Sequence, residues 1–579
     1  MEVKFPELKK ARIAGFFYSF RTRNFECNHV AILVVLLIGS SLYSSFIASS
    51  PIFDDHNVVT NAVFGNYALS PLPLAPRSIP YFSIAFLNII STDNIAWNRC
   101  FNVGLLIGTT LALNTFLKRV FNRLISKDSA PHASIIALCI SAWFILNPVT
   151  VYGVAYLAQR TILMATLFSL VSATLYLRAQ HENRSVDLLS AGLCACLAML
   201  CKEHALLLPF AIAALTPLAT GWNRITIRRC ATFNVLLLPM SWWVISNRAP
   251  EAGSSYEIYS GDILSQFSLP APFSDIGGVW GMSIATQLGL FLRYLGSWLW
   301  PDPAYLSADL RIDFDQYWTG PIGYLLALIS VSLIASAFLH TSRKSARPEL
   351  RLISSGIAYS AILFVVELSV VRVQEPFVLY RSFLWMPGYA LIFSGLIAIV
   401  VQKINIRNKK AATTLLILLP LLPLAMTPWT VDRLHSLESE ESVWRDALLK
   451  LPKPTTPGAD RIYYNLAGEA YKRKDYSAAL DFSERVVRQS PGAFQGYLAL
   501  GTSLIALGKL DEASKAFDKA ESLPKPEMFN GYIQFKRCIL LELGGSQGVD
   551  VINCLEKSAG MGYSQAKMIL QLRQSETKK

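Results

Sequence analysis

The chain is poor in charged residues. Asp, Glu, Lys and Arg make up 16% of its 579 residues, whereas a soluble globular protein carries about 25%. Hydrophobic residues make up 53%, and the mean hydropathy is +0.37. This composition excludes a disordered chain, a disulfide-rich mini-domain and a typical cytosolic enzyme. It predicts a polytopic membrane protein.

Cysteine is present without a pattern, and the common catalytic signatures are absent. The nine cysteines are scattered and no C-x-x-C pair occurs, so neither a disulfide framework nor a zinc site is predicted. The sequence has no phosphate-binding loop and no G-x-G-x-x-G, H-E-x-x-H or G-x-S-x-G motif. The histidines show no ligand spacing, so no metal ligands are assigned.

Basic residues outnumber acidic ones, and the formal net charge is +13. Most Lys and Arg lie in short loops between apolar runs, which is typical of membrane topology and not of a nucleic-acid-binding surface. The apolar runs predict eleven spanning helices, near residues 30–48, 100–117, 134–150, 160–178, 187–201, 204–219, 231–247, 320–340, 352–371, 383–402 and 412–429.

The charge of the loops predicts an orientation. A basic leader precedes the first run, and the positive-inside rule places it and the other basic loops in the cytoplasm. Loops 49–98, 248–319 and 372–382 are poorer in Lys and Arg and are predicted to face outward. The odd number of spans then places everything after Trp429 outside. The apolar stretch 284–300 is interpreted as a re-entrant or interfacial helix, because another span there would invert the later loops.

After residue 429 the composition becomes that of a soluble helical domain. A pattern of residues recurs at a spacing of 34, as in tetratricopeptide repeats. The recurring residues are Tyr463, Leu466, Ala467, Ala479 and Pro491, then Tyr497, Leu500, Gly501, Ala513 and, one residue early, Pro524. We expect an all-α protein with a membrane domain over 1–429, a connecting segment over 430–457 and a tetratricopeptide-type solenoid over 458–579. The solenoid would bind a peptide or protein, or else only pack on the membrane domain or dimerise.

Two adjacent carboxylates follow the first apolar run, in Phe53-Asp54-Asp55-His56. Carboxylates this close repel each other, and partial burial would raise the pKa of one of them. A general base near neutrality would result. Asp54 and Asp55 are therefore candidate catalytic residues, with a solvated loop or a non-catalytic metal site as the alternatives.

Cations at the outward ends of spans are candidate ligands for an anionic headgroup. Arg160 opens the fourth span, where its planar guanidinium could clamp a phosphate or snorkel to lipid. Lys202 and Glu203 lie between two short apolar runs, either as a structural ion pair or in a polar cavity.

Three further polar residues are candidates for substrate binding. Gln287 and Arg293 belong to a polar and aromatic helix whose spaced polar residues suggest the wall of a cavity. Arg381 precedes the tenth span as another outward-facing cation that could meet a phosphate.

Taken in order, these segments resemble the GT-C membrane glycosyltransferases with tetratricopeptide repeats, including the transmembrane-and-tetratricopeptide O-mannosyltransferases and their bacterial relatives. The resemblance rests on Asp54-Asp55, Asn147-Pro148-Val149 through Arg160, Cys201-Lys202-Glu203 through Pro209, Thr286-Gln287 through Pro301, Arg381 to Gly388 and the C-terminal repeats. Asn147, Tyr152 and Tyr380 differ from the residues that the family commonly has at these places.

The resemblance implies an enzyme that transfers sugar from a polyprenyl phosphate to a Ser or Thr hydroxyl of a translocated protein. Asp54, with Asp55 beside it, would take the hydroxyl proton in an inverting displacement. Cations would stabilise the departing lipid phosphate, and the candidates are Arg160, Lys202 and Arg381, with Glu203 orienting one of the first two. The resemblance leaves open whether a divalent cation takes part.

The implied partners are membrane lipid, the lipid-linked sugar and an acceptor protein, and no nucleic acid. The Gln159-Arg160-Thr161 form and the short repeat domain indicate a bacterial inner membrane, with a cytoplasmic N-terminus and periplasmic repeats.

Two alternatives stay open. An O-antigen-type ligase or polymerase would also use a lipid-linked oligosaccharide, but the absence of His from loop 248–319 counts against it. A non-catalytic membrane scaffold would use its repeats to recruit envelope proteins.

Overall fold

The computed structural model describes residues 29–60, 64–67, 74–91, 94–124, 130–247, 278–318, 320–341, 347–373, 375–546 and 548–576. The predicted basic leader and the first part of predicted loop 248–319 lie outside these ranges. Over the described residues the chain is helical with no β-strand, apart from one antiparallel bridge between Leu310 and Phe377. The predicted all-α class is confirmed.

The helices fall into two groups along the chain. Those up to residue 435 are α1 (His29–Ser41), α2 (His56–Thr60), α3 (Ser78–Ile90), α4 (Asn94–Leu124), α5 (Ala130–Ile145), α6 (Pro148–Val154), α7 (Arg160–Glu182), α8 (Ser185–Cys201), α9 (Leu208–Ala213), α10 (Thr216–Ala219), α11 (Arg224–Ser246), α12 (Gly278–Leu299), α13 (Phe314–Tyr317), α14 (Pro321–Thr341), α15 (Pro348–Phe364), α16 (Met386–Arg407), α17 (Lys409–Leu418) and α18 (Thr427–His435). Those that follow are α19 (Glu440–Leu449), α20 (Ala459–Lys472), α21 (Tyr476–Gln489), α22 (Phe494–Ala506), α23 (Leu510–Ser522), α24 (Met528–Leu543), α25 (Gly548–Gly560) and α26 (Ser564–Glu576).

Six helical segments in the described ranges are long and apolar enough to cross a membrane. They are Asn94–Phe121, Leu157–Glu182, Pro321–Thr341, Pro348–Leu368, Met386–Asn405 and Lys410–His435. A seventh results if α5 and α6, which meet at an angle of 60°, form one broken span. Several apolar helices can therefore span a membrane.

The count of eleven spans is not confirmed. The runs at 30–48, 187–201 and 204–219 correspond to apolar helices of at most 17 residues. A helix rises 1.5 Å per residue, so about 20 residues are needed to cross the hydrocarbon core. The run at 231–247 lies in α11, which is not among the six, and neither is α12, the predicted re-entrant or interfacial helix.

The break between α5 and α6 leads the chain towards the Asp54-Asp55 turn. Asn147 has an extended backbone, and its side-chain oxygen accepts a hydrogen bond of 3.0 Å from the Val149 N–H, with Pro148 in the first turn of α6. This is an ordinary N-cap followed by proline. After α6, a short 3-10 turn at Leu157–Gln159 brings backbone N–H groups to Asp55.

Small residues let α15 and α16 approach closely. A Cβ on Gly388 would collide with the carbonyl oxygen of Gly356, so no larger side chain fits there. The close contact fixes the ends of both helices, from which Glu367 and Arg381 extend.

The segment after the last candidate span folds back on the loops between the membrane helices. Arg433 donates hydrogen bonds to the Leu306 carbonyl at 2.5 Å and to Asp446 at 2.9 Å. Arg461 of α20 pairs with Glu375 at 2.6 Å. The predicted connecting segment 430–457 therefore contains the end of α18 and all of α19. It contacts the membrane part, by which we mean the helices up to residue 435 and the loops between them.

The C-terminal helices form pairs. α20 precedes α21, α22 precedes α23 and α24 precedes α25, each pair joined by a short turn. Gly501 lies where a Cβ would be 2.8 Å from the Phe517 ring, as expected where a small residue lets two helices approach. The assignment as tetratricopeptide repeats stays a prediction. A disulfide joins Cys538 to Cys554 between α24 and α25, although the cysteine spacing gave no reason to expect a bridge.

Candidate functional site

A cavity of about 770 Å³ lies between one end of the membrane part and the C-terminal helices. Its lining residues come from seven parts of the chain: 53–56, Arg77, 152–159, 202–206, 308–310, 366–381 and 437–472. It therefore collects charged residues that are up to about 400 positions apart in the chain.

Asp54 and Asp55 have opposite environments. Asp54 is exposed and lines the cavity, and one of its carboxylate oxygens accepts a hydrogen bond of 2.9 Å from the Tyr156 hydroxyl. Asp55 is fully buried and does not line the cavity. Its carboxylate accepts hydrogen bonds from the N–H groups of Leu157 at 3.2 Å and Ala158 at 3.1 Å. Only Asp54 is placed to meet a substrate.

The burial of Asp55 has an electrostatic consequence. Desolvation raises the pKa of its carboxyl to about 7, against the lowering effect of the two backbone N–H groups and of Arg99. Arg99 is itself buried and donates hydrogen bonds to carbonyl groups at the end of the segment before the turn, including that of Ser50 at 2.8 Å. Asp55 thus joins the turn that carries Asp54 to the turn at Leu157–Gln159.

Lys202 lines the cavity at the end of α8. Its backbone is extended and its side chain is buried, with the Nζ 3.9 Å from a Glu203 oxygen. Desolvation by burial, followed by repulsion from Arg77 and Arg381, lowers the pKa of Lys202 to about 7, although Glu203 opposes the shift. An anion placed beside this ammonium group would relieve the repulsion.

Glu203 holds an arginine that the sequence analysis missed. Arg77 donates two hydrogen bonds to the Glu203 carboxylate, one of them from Nε at 3.0 Å, in a bidentate pair. The backbone of Arg77 is left-handed, with φ of 73°, which is unfavourable for a residue other than glycine. Lys202 and Arg77 hold the pKa of Glu203 well below its usual range despite burial. Glu203 therefore orients Arg77 at the cavity.

Two arginines and a histidine surround Glu367, which is fully buried. Arg381 lies 3.2 Å and Arg372 lies 3.4 Å from one carboxylate oxygen, and His204 Nε2 lies 3.1 Å from the other. Arg381, Arg372 and His204 line the cavity in front of it. Arg381 also lies 3.4 Å from Glu375.

Glu375 connects this set to the C-terminal helices. Its carboxylate accepts a hydrogen bond of 2.6 Å from Arg461 of α20, and Arg461 also lies 3.4 Å from Asp309. The neighbouring Arg461 and Arg381 lower the pKa of Glu375 to about 2, against its burial. Glu375 is thus ionised and paired, so it does not compete as a general base.

Three predicted binding residues do not line the cavity. Arg160 is fully buried and donates hydrogen bonds to Asn102, Ser83 and Asn98 at 2.7 to 3.1 Å. It therefore neither points to an outer interface nor reaches a lipid phosphate in this conformation, because its guanidinium is held by neighbouring helices.

Gln287 and Arg293 are the other two. Gln287 is buried and donates a hydrogen bond of 2.7 Å to the Pro376 carbonyl. The Arg293 guanidinium packs over the Phe377 ring at 4.7 Å and the Tyr317 ring at 5.7 Å. Both support the loop behind the cavity, because α12 packs its polar side chains on that loop.

Sequence reasoning missed most of the neighbours that give the site its charge. The sequence analysis assigns no role to Arg77, His204, Glu367, Arg372 or Arg461. One feature of the sequence could have identified three of them as site residues: Arg77, His204 and Arg372 lie in or beside predicted outward loops. Their partners are distant in sequence, so no local pattern identified them.

The site combines the Asp54 carboxylate with several basic side chains in one cavity. Over the described residues, no group of three or more His, Cys, Asp or Glu side chains could hold a metal ion. The arrangement can accept a proton at Asp54 and hold an anion at Lys202, Arg77 and Arg381. Comparison with known proteins finds no matching family model, no matching curated protein and no matching solved structure.

Proposed function

We propose that this protein is a membrane glycosyltransferase that transfers a sugar from a polyprenyl phosphate to a Ser or Thr hydroxyl of a translocated protein. The observation that carries the proposal is that Asp54 lines the same cavity as Lys202 and Arg381. A base and a phosphate-binding group in one cavity are what a single displacement at an anomeric carbon requires.

The reaction follows from this arrangement. The acceptor oxygen attacks the anomeric carbon and its proton passes to the Asp54 carboxylate. The bond from that carbon to the phosphate oxygen breaks, and the oxygen keeps the electron pair. The lipid phosphate therefore gains negative charge in the transition state, and Lys202, Arg77 and Arg381 stabilise it. One displacement inverts the anomeric configuration.

The surroundings of Asp54 support its role as the base. The Tyr156 hydroxyl donates to one carboxylate oxygen of Asp54, and Asp54 lines the cavity. Asp55 serves a different purpose, because its carboxylate is occupied by two backbone N–H groups. We therefore assign Asp54 as the base and Asp55 as its support.

The positive charge around Lys202 supports an anionic donor. Arg77 and Arg381 each have a carboxylate partner, whereas the Lys202 ammonium has only the 3.9 Å contact with Glu203 over the described residues. A phosphate diester offers the oxygens that arginine and lysine bind best. We do not assign Arg160 as a ligand of the phosphate.

The proposed topology keeps the predicted orientation. We propose that the N-terminus is cytoplasmic, that the protein spans a bacterial inner membrane up to eleven times, and that the C-terminal helices form a periplasmic tetratricopeptide solenoid that contacts the acceptor. Seven spans would place the two termini on opposite sides just as eleven would. The Cys538–Cys554 disulfide supports an oxidising compartment for the C-terminal helices.

The test is intact-mass spectrometry of envelope proteins from cells with the wild-type chain, a deletion, Asp54→Asn or Asp55→Asn. We expect a hexose-sized mass on one or more proteins with wild type, and none with the deletion or with Asp54→Asn. If the mass survives Asp54→Asn but not the deletion, the assignment of the base is wrong.

The same experiment separates the alternatives. A ligase or polymerase would change the size of an envelope glycan, and protein masses would stay constant. A scaffold would give no mass change in any strain, and its phenotype would survive Asp54→Asn but not removal of the residues from Gly458 onward.

A further inference from the structure

The turn that carries Asp54 is held from a distant part of the chain. The Phe53 N–H donates a hydrogen bond to a carboxylate oxygen of Glu440, at the start of α19. The other Glu440 oxygen accepts a hydrogen bond of 2.8 Å from Trp444 Nε1. Glu440 thus joins the segment after the last candidate span to the residue before Asp54.

The backbone at this turn is strained. Phe53 has a φ of 49°, in the left-handed region that residues other than glycine rarely adopt. Strained residues persist where the surrounding structure holds them, and they concentrate at functional sites. Here the Phe53 ring packs against Tyr156 and against Trp444, each at 5.4 Å between ring centroids.

These contacts meet at Phe53, the residue before Asp54. Tyr156 contacts the Phe53 ring and also donates its hydroxyl to Asp54, while Trp444 contacts the same ring and is held by Glu440. Without Glu440, the Phe53 N–H would lose its acceptor, and the left-handed conformation would lose the bond that holds it. Asp54 would keep its hydrogen bond to Tyr156 but would lose the fixed backbone of the residue before it.

We infer that Glu440 is a positioning residue, which holds Phe53 in its left-handed conformation and thereby directs the Asp54 carboxylate into the cavity. The inference rests on the proposed role of Asp54 as the base. It gives the segment between the membrane part and the C-terminal helices a part in catalysis, through the backbone of Phe53.

The first test separates kcat from KM. The full chain in lipid nanodiscs is assayed with radiolabelled undecaprenyl phosphate mannose and a synthetic Ser/Thr-rich peptide. Glu440→Ala should lower kcat by about 10²-fold, the size expected when a reacting group is displaced by about 1 Å. KM for the donor should change less than twofold, because Lys202 and Arg381 are unaltered.

Two further variants control for folding. Glu440→Gln keeps one carbonyl oxygen for the Phe53 N–H, so it should recover at least tenfold of the lost kcat. Glu441→Ala removes the neighbouring carboxylate, which pairs with Arg445 at 2.5 Å and Arg473 at 3.0 Å and does not line the cavity. It should keep the wild-type kcat. An increased KM with unchanged kcat in Glu440→Ala would show that Glu440 contacts substrate, and it would overturn the inference.

The second test does not depend on the reaction. Hydrogen exchange of backbone amides in residues 50–57 should be at least tenfold faster in Glu440→Ala than in wild type or Glu441→Ala. Unchanged exchange overturns the inference even if activity falls. If wild type transfers no sugar, the proposed function fails for this donor, and the exchange experiment still decides whether Glu440 holds the turn.

Discussion

The Tyr156 hydroxyl donates a hydrogen bond of 2.9 Å to the Asp54 carboxylate, and the N–H of Leu157, the next residue, donates one of 3.2 Å to Asp55. Two neighbouring residues after α6 therefore bind two neighbouring carboxylates after α1. One carboxylate faces the cavity and the other is buried. This pairing separates the carboxylate that we propose as the base from the one that supports it, and the predictions below follow from that difference.

Asp54→Asn should abolish transfer without destabilising the protein. Loss of a general base costs about 10²- to 10⁴-fold in rate, whereas an exposed side chain contributes little to folding. The measurement is the rate of transfer from undecaprenyl phosphate mannose, together with thermal unfolding in detergent. A rate within threefold of wild type would contradict the assignment of Asp54 as base.

Asp55→Asn should act mainly on stability. The amide has one acceptor oxygen for the two N–H groups of Leu157 and Ala158, so one buried N–H loses its partner, at a cost of about 1–3 kcal/mol. Thermal unfolding of the purified variant should show a lowered midpoint, with part of the activity retained below it. An unaltered midpoint combined with complete loss of activity would reverse the roles of the two carboxylates.

Tyr156→Phe should reduce activity less than Asp54→Asn does. The variant keeps the ring contact with Phe53 and removes only the hydroxyl that orients Asp54. A hydrogen bond to a charged group contributes about 1.5–3 kcal/mol, so we expect at least about a tenfold lower kcat with an unchanged unfolding midpoint. Equal kcat values for Tyr156→Phe and wild type would show that the hydroxyl has no part in orienting the base.

Binding of the lipid phosphate should depend on pH through Lys202. Burial lowers the pKa of Lys202 to about 7, so the ammonium group is charged below this pH and neutral above it. The phosphate monoester has its second pKa near 6 and stays a dianion over this range. Affinity for undecaprenyl phosphate should therefore fall from pH 7 to 9, by at most about tenfold per pH unit.

Lys202→Arg is the matched variant for this measurement. Arginine stays charged over the whole range, so the affinity of this variant for undecaprenyl phosphate should no longer fall above pH 7. The other charged or titratable residues around the site are unchanged in this variant: Arg77, Arg381, Glu203, Glu367 and His204. An equally steep dependence in Lys202→Arg would assign the titration to another group.

The C-terminal helices should be accessible from outside the cell. In spheroplasts without reductant, a membrane-impermeant maleimide should label neither Cys538 nor Cys554, because they form a disulfide. After reduction it should label both, as peptide mass spectrometry would show. Labelling that appears only after the membrane is lysed would place these helices in the cytoplasm and reverse the proposed orientation.

The sequence by itself determined the class and the outline of this protein. Apolar runs of spanning length and basic loops predict membrane helices, because hydropathy and charge are local properties of the sequence that determine how a segment partitions into a membrane. The composition change after residue 429 separated the two parts of the chain. Charges beside apolar runs also led to Asp54, Lys202 and Arg381, three residues that do line the cavity.

Only the tertiary structure decided how each of these charges is used. Asp54 and Asp55 have the same side chain and are adjacent in sequence, and the difference in their burial comes from packing against residues about 100 positions away. Arg160 resembled a phosphate ligand in sequence, but Asn98 and Asn102 bind it inside the helix bundle. The partner of a buried charge is set by contacts between distant segments, and a local pattern of residue types does not contain that information.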